Sequence, residues 1–387
     1  MELGIKKHVE DIYKCTRCGY CREMIREEVN TFRICPIREN TPGFEAYTGK
    51  GKMLLMRGVL EGTLELTPKL SEIVFTCTTC ASCKAHCPVG IDTVGIFEIF
   101  REDLIRQELG LPSHTMFGKY ALEKMNPYNE PHEDRMAWLP EPIEFSKPAE
   151  IAFFVGCTSA YREQGLASAT YKILKKLGVD FTILGPDEWC CGSPLFRTGQ
   201  LDIAKQIAQH NIEKLNELGV KQVVFSCAGC FRTFAMDYKK VGKLKAKPLH
   251  FTKFIYNQIK DGKIKFKESP LKVTYHDPCH TTRSMKKADY KSPRRVLNAL
   301  PGVELVEMLS TKEGSMCCGA GGGVKSAFSD IAVSAAEKRV QQAKSTGATH
   351  LISTCPFCRR NLMDGNEKGN LGMKIMDLTE LILERIE

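Results

Sequence analysis

Two places along this chain repeat the same order of apolar and polar positions. Ile151–Val155 (IAFFV) and Val273–His276 (VTYH) are short apolar and β-branched runs that predict buried strands. Helix-period segments follow at Ala167–Leu177 and Pro293–Leu300, then short strand-like runs at Phe181–Leu184 and Val303–Val306. Second helices are predicted over Asp202–Leu218 and Asp330–Ser345, and third strands at Val223–Ser226 (VVFS) and Leu351–Thr354 (LIST). Each unit reads βαβαβ, and repetition of a whole unit at a near-constant offset predicts a tandem pair of α/β modules.

Upstream the period changes. Met53–Gly62 (MLLMRGVLEG) and Pro68–Phe75 carry helical spacing and no strand alternation. From 111 to 149, Pro112, Pro127, Pro131, Pro140, Pro142 and Pro148 break any long helix, which predicts an extended connector along the next domain. The expected division is 1–110 as a helical domain, 111–149 as connector, 150–268 as the first module and 269–387 as the second.

Composition narrows the class. The 387 residues are 43% hydrophobic and 26% charged, ordinary for a globular protein of two or three domains. Mean hydropathy is −0.23, and no apolar run approaches the ~18 residues of a spanning helix. The first residues, MELGIKK, lack the apolar core of a secretory signal. These features predict a cytoplasmic protein that meets a membrane only through a partner. The net charge of +9 counts every cysteine as neutral, and metal-bound thiolates would offset it, so it is no nucleic-acid footprint.

Cysteine changes the picture most. There are eighteen, too few for a disulfide scaffold of this length and clustered as metal ligands are. Cys15, Cys18 and Cys21 form C-x2-C-x2-C, with Cys35-Pro36 after a further thirteen residues. Cys77, Cys80, Cys83 and Cys87-Pro88 form C-x2-C-x2-C-x3-C-P, the bacterial pattern for a cubane [4Fe–4S] cluster. In two-cluster ferredoxins the fourth cysteine ligates the other cluster. By that rule Cys15, Cys18, Cys21 and Cys87 hold one cubane, and Cys77, Cys80, Cys83 and Cys35 the other. Zinc is the competing reading, but it takes four ligands, usually as two pairs, and each motif here offers three close cysteines.

The other ten fall into two sets of five, one per module. Cys157, Cys190-Cys191-Gly192 and Cys227-x2-Cys230 make the first; Cys279, Cys317-Cys318-Gly319 and Cys355-x2-Cys358 make the second. In each set the first cysteine and the C-x2-C follow a predicted strand, where open α/β sheets place ligands. Five thiolates exceed what zinc or a cubane takes, which suggests a multinuclear iron–sulfur site.

This arrangement, twice over behind a two-cluster ferredoxin pattern, resembles the CCG-domain iron–sulfur oxidoreductases, the family of the heterodisulfide reductase catalytic subunit of methanogens. The chain resembles the fused form, in which a ferredoxin-like part precedes two CCG units. The resemblance implies two cubane clusters plus two noncubane [4Fe–4S] clusters, each of the latter held by five cysteines. It also implies cleavage of the coenzyme M–coenzyme B disulfide between the noncubane pair. Iron–sulfur subunits of glycolate and glycerol-3-phosphate dehydrogenases share the layout. Two functions therefore stand at this point: a reductase of a disulfide, or a relay linking a flavoprotein to quinone or a larger reductase. Both need partners, a flavoprotein or a membrane cytochrome, because the chain has no flavin or nicotinamide motif.

The catalytic candidates are Cys191 and Cys318, one from each adjacent pair, and His280, a proton source near a leaving thiolate. His276 and Asp277 flank Cys279 as well, and the alternative role of all three is to cap the strand end and hydrogen-bond the cluster shell. Arg197, Arg232, Arg283, Lys325 and Arg359 lie near cluster cysteines and are candidate contacts for an anionic substrate. The run from Gly319 to Ser326 (GAGGGVKS) nearly spells a phosphate-binding loop, but Val324 replaces the required glycine. Its glycines are expected instead to bring backbone N–H groups close to cluster sulfurs. The run Lys239–Lys247 predicts an exposed loop or a docking surface.

Overall fold

The computed structural model describes residues 2–23 and 33–387, so most of the gap between Cys21 and Cys35 lies outside the described residues. The N-terminal domain is helical. Its main elements are α1 (Gly49–Leu60), α2 (Pro68–Phe75) and α3 (Thr93–Arg106), which bury Met53, Met56, Val74, Phe75, Phe97, Phe100 and Leu104 in a core of their own. Thr48, Thr67 and Asp92 cap these helices by accepting backbone N–H groups of the first turns.

The connector is more ordered than its prolines predict. Pro112–Glu123 forms a helix, α4, with Pro112 at its first position. A proline there removes an N–H that has no helical partner anyway, so it starts the helix it would break elsewhere.

The first module contains β1 (Ile151–Phe154), α5 (Gln164–Lys176), β2 (Phe181–Thr182), α6 (Leu201–Glu217), β3 (Gln222–Phe225), β4 (Lys247–His250) and α7 (Phe251–Lys260). The second repeats it with β5 (Leu271–Tyr275), α8 (Lys291–Asn298), β6 (Val303–Leu305), α9 (Ser329–Lys344), β7 (His350–Ser353), α10 (Pro356–Lys368), β8 (Lys374–Asp377) and α11 (Leu378–Arg385). Both sheets are four-stranded and parallel, ordered β2-β1-β3-β4 and β6-β5-β7-β8. The sequence pattern predicts three strands per module; the fourth, KPLH or KIMD, is short and sits at a sheet edge. Pro248 is tolerated there because an edge strand leaves one side of its backbone unpaired. Of the Lys239–Lys247 run, the lysines are exposed while Ala246 is buried and Lys247 opens β4.

The modules are interlocked. The last helix of each packs on the first helix of the other: α7 on α8, and α11 on α5. Near the chain end, Phe266 bridges to Ile386, and one apolar core runs through both sheets. Among the described residues, no helix is long and apolar enough to cross a membrane.

Candidate metal centres and cavity

The strand order dictates where the cysteines go. In each sheet the chain leaves the central strand in one direction for β2 or β6 and returns on its other side as β3 or β7. The crevice at that reversal opens beyond the strand C-termini. Cys157 follows β1 and Cys227 follows β3, while Cys279 follows β5 and Cys355 follows β7. Each set of five therefore gathers at the carboxyl end of its own sheet.

The interlocked packing turns the two ends toward each other. All ten of these cysteines line one cavity of about 360 Å³. Within the sets, the Cys318 and Cys358 sulfurs are 3.4 Å apart, and the thiols of Cys157 and Cys190, and of Cys191 and Cys230, are in contact. Between the sets, the Cys227 thiol touches the Cys355 thiol. Contacts of this kind draw the Cys191 thiol down to about 6, through Cys190 first and then Cys230. Cys318 is drawn well down by Cys317 and Cys358.

Backbone amides approach the sulfurs at both glycine turns. Gly192 N–H donates to Cys190 Sγ and Gly319 N–H to Cys317 Sγ, each at 3.4 Å. The glycines after Gly319 serve docking too. At Gly322 φ is +63° and a Cβ would lie 2.4 Å from the Cys77 carbonyl oxygen, so this loop lies directly against the N-terminal domain.

The eight N-terminal cysteines surround two small adjacent cavities of about 30 Å³ each. Cys35, Cys77, Cys80 and Cys83 line one; Cys15, Cys18, Cys21 and Cys87 line the other; Cys21 and Cys83 touch both. Cys87 thus stands with the first motif and Cys35 with the second. Cys80 also reaches out of its domain to touch the Cys317 thiol. At the opposite end Cys18 is exposed. Convergent thiols around each small space suit a cubane, and five per module suit a larger noncubane group; all the donors are sulfur, which selects iron–sulfur clusters over hard cations.

Arg101 on α3 holds the three units together. Its fully buried guanidinium donates to the carbonyls of Val74 (3.0 Å) and Cys77 (2.7 Å), of Arg197 (2.7 Å) in the first module, and of Gly322 (2.9 Å) in the second.

The basic candidates separate. Arg197 and Lys325 line the cavity, but Arg197 pairs with Glu98 and Asp237 at 2.9 Å each, and Lys325 with Asp364 at 2.6 Å. Arg232, Arg283 and Arg359 do not line it. Arg232 joins the Glu98–Asp237 cluster; Arg283 donates to the carbonyls of Cys80, Glu313 and Ser315; Arg359 forks onto Glu380 and reaches Glu163.

The three residues around Cys279 separate as well. Asp277 takes a bidentate pair from Arg294 at 2.8 and 2.9 Å and accepts Lys312 N–H, a structural role. His276 is buried behind the second set and accepts from Arg339 Nε at 3.2 Å. His280 lines the cavity, and its buried Nε2 has no partner among the described residues. Burial, with Arg197 next, lowers His280 to about 4.

Sequence reasoning missed the residues supplied by the connector. Phe117, Pro127 and Tyr128 line the cavity, and the buried Arg135 lies over Cys157 with Nη1 3.8 Å from its sulfur, paired with Glu188 at 2.5 Å. No periodicity marks them, because they act singly from an irregular segment.

Comparison with known proteins agrees with this architecture. A cysteine-rich domain model named CCG matches residues 151–235 and 273–363, and a 4Fe-4S dicluster domain model matches 11–91. One relative is the corresponding chain of the dihydromethanophenazine:CoB–CoM heterodisulfide reductase of Methanosarcina acetivorans. The two are 39% identical over 97% of this chain and 94% of that one. A chain of the fumarate reductase (CoM/CoB) of Methanothermobacter marburgensis is 34% identical, over 81% of this chain and 62% of its own length. The EtfAB:quinone oxidoreductase of Syntrophomonas wolfei is 27% identical, over 82% and 47%.

Proposed function

The chain belongs to the CCG-domain family of heterodisulfide reductase subunits, and from that premise we propose that it reduces a disulfide within the cavity shared by its two CCG modules. It is an iron–sulfur oxidoreductase subunit with two cubane and two noncubane [4Fe–4S] clusters. In this reading Cys15, Cys18, Cys21 and Cys87 hold one cubane, and Cys35, Cys77, Cys80 and Cys83 the other. Cys157, Cys190, Cys191, Cys227 and Cys230 hold one noncubane cluster, and Cys279, Cys317, Cys318, Cys355 and Cys358 the second. When bound, these groups supply one-electron steps and iron sites with affinity for sulfur.

The observation that carries the reading is the single cavity lined by both sets of five. A disulfide has two sulfurs to separate, and its reduction to two thiols consumes two electrons and two protons. Two thiol sets facing one space place one set at each sulfur, with Cys191 and Cys318 in the lining of either side. In this reading His280, a neutral imidazole in the lining, relays a proton to a departing sulfur, and Arg197 and Lys325, beside their carboxylate partners, orient a charged substrate. Phe117, Pro127 and Tyr128 add connector side chains to the wall of the space.

The cysteine contacts support a direction of supply. Cys18 is the exposed end, Cys21 and Cys83 join the two small cavities, Cys80 meets Cys317, and Cys355 meets Cys227. Electrons from a redox partner enter near Cys18 and reach the second module first. Any membrane contact is made by that partner.

The test is oxidation of a reduced viologen by the oxygen-free, iron-loaded chain when given the coenzyme M–coenzyme B heterodisulfide. Turnover that vanishes in Cys318→Ala supports the reading. Absence of turnover with all clusters reducible replaces it with a relay between a flavoprotein and quinone, a function that has no use for the cavity.

A further inference from the structure

The two modules differ in one buried place beside the thiol sets. Three residues before the first cysteine stands Phe154 in the first module and His276 in the second. Twenty-one residues after the second cysteine of the adjacent pair stands Ile212 in the first and Arg339 in the second. An apolar pair is thus replaced by a polar one.

That polar pair is aimed at the second set. A ring nitrogen of His276 and the sulfurs of Cys318 and Cys358 lie within 4.8 Å of one another. Arg339, fully buried, donates Nε to His276 Nδ1 at 3.2 Å, Nη1 to the Ser310 carbonyl at 2.8 Å and Nη2 to Ser315 Oγ at 3.0 Å. A nitrogen that accepts holds a lone pair, so the proton of the neutral ring is on Nε2.

The charge balance differs in the same sense. Arg135 and Arg197, beside the first set, are paired with Glu188 and with Glu98 and Asp237. Arg339 and Arg283, beside the second, make no ion pair with a carboxylate among the described residues. Asp277 acts on Arg339 as an anion without touching it, and the thiols of Cys80, Cys279 and Cys317 act on Arg283, so a thiolate-ligated cluster here supplies negative charge that paired carboxylates supply beside the first set.

We propose that His276 is a positioning residue for the second noncubane cluster, donating Nε2–H to a Cys318 or Cys358 thiolate, backed by Arg339, so that this cluster has the higher reduction potential of the two. The inference rests on the reading that both sets hold noncubane clusters. Reduction adds negative charge, a donor is held more tightly by the more negative state, and the potential rises.

The test uses the full, cluster-loaded chain in an anaerobic redox titration followed by electron paramagnetic resonance. With 15N-labelled histidine, the noncubane signal reduced first is expected to show coupling to a histidine nitrogen, which disappears in His276→Phe. In that variant the same signal moves to lower potential, by about tenfold in its reduction equilibrium constant for loss of one charged hydrogen bond. The other signal stays. His276→Gln, which keeps an N–H, restores most of the shift, and Arg339→Met, which frees Nδ1, moves the signal downward without removing the ring. The proposal is overturned if wild type shows no histidine coupling, or if neither His276→Phe nor Arg339→Met moves one signal alone. Absence of any noncubane signal in wild type overturns the functional reading beneath it instead.

Discussion

The Cys227 thiol touches the Cys355 thiol across the boundary between the two modules. They are equivalent residues, the first cysteine of each C-x2-C, so the two thiol sets meet where like faces like. Loss of one is therefore felt by both sets. Cys227→Ser is expected to lower iron content by about a quarter, one cluster in four, and to alter the spectrum of the second noncubane cluster. Both cubane signals should persist. Iron assay with paramagnetic resonance checks this.

Arg101 is expected to be the main polar fastener of the N-terminal domain. Arg101→Met leaves four buried carbonyls, on Val74, Cys77, Arg197 and Gly322, without this donor. A loss of about 3 kcal/mol follows for hydrogen bonds to a charged group. Urea unfolding checks it, and the variant should be cut faster by protease between the helical domain and the modules.

Gly322→Ala forces a Cβ to 2.4 Å from the Cys77 carbonyl oxygen in a backbone of φ +63°. The expected cost is about 2 kcal/mol, with slower electron passage from the N-terminal domain to the second module. Gly165→Ala is the control, because a Cβ there meets nothing within 4 Å. Thermal unfolding and stopped-flow reduction separate the two variants.

Glu98 gives the expected pH dependence. Burial, opposed by Arg197 and reinforced by Asp237, raises its carboxyl from 4.5 to about 7, with Arg101 and Lys240 also facing it. A raised folded value means that its contribution is complete below the unfolded value and is lost as pH rises through about 7. Wild type should therefore lose up to about 3 kcal/mol relative to Glu98→Gln between pH 5 and 8. Parallel denaturation curves across that range check the difference in slope; equal slopes would refute it.

The cysteine framework was legible because ligands of one cluster recur at short spacings, and because each module repeats its order. The expected exchange of Cys35 and Cys87 came from the two-cluster ferredoxin rule rather than from spacing, since the thirteen-residue gap before Cys35 departs from the usual three. In the fold Cys35 lines the cavity of the second motif and Cys87 that of the first. Strands β1, β3, β5 and β7 announced themselves by short apolar and β-branched runs. The fourth strands did not, since edge position lets KPLH carry a proline and a lysine. Side-chain roles were less legible. Arg197 and Arg232 read alike in sequence, yet one lines the cavity and the other does not. Only the turn at Thr233–Asp237, a π-helical widening after Ala228–Arg232, sets Asp237 between them. Arg135 and Arg339 carry no local signal at all, because their partners are distant in the chain.

The reciprocal seating of α7 on α8 and α11 on α5 has a mechanical consequence. Each module seats a helix of the other, so parting the two sheets means unpacking α7 from α8 and α11 from α5. The gap between the thiol sets is thereby set when the chain folds, as the width of a fixed gauge is set when it is cut.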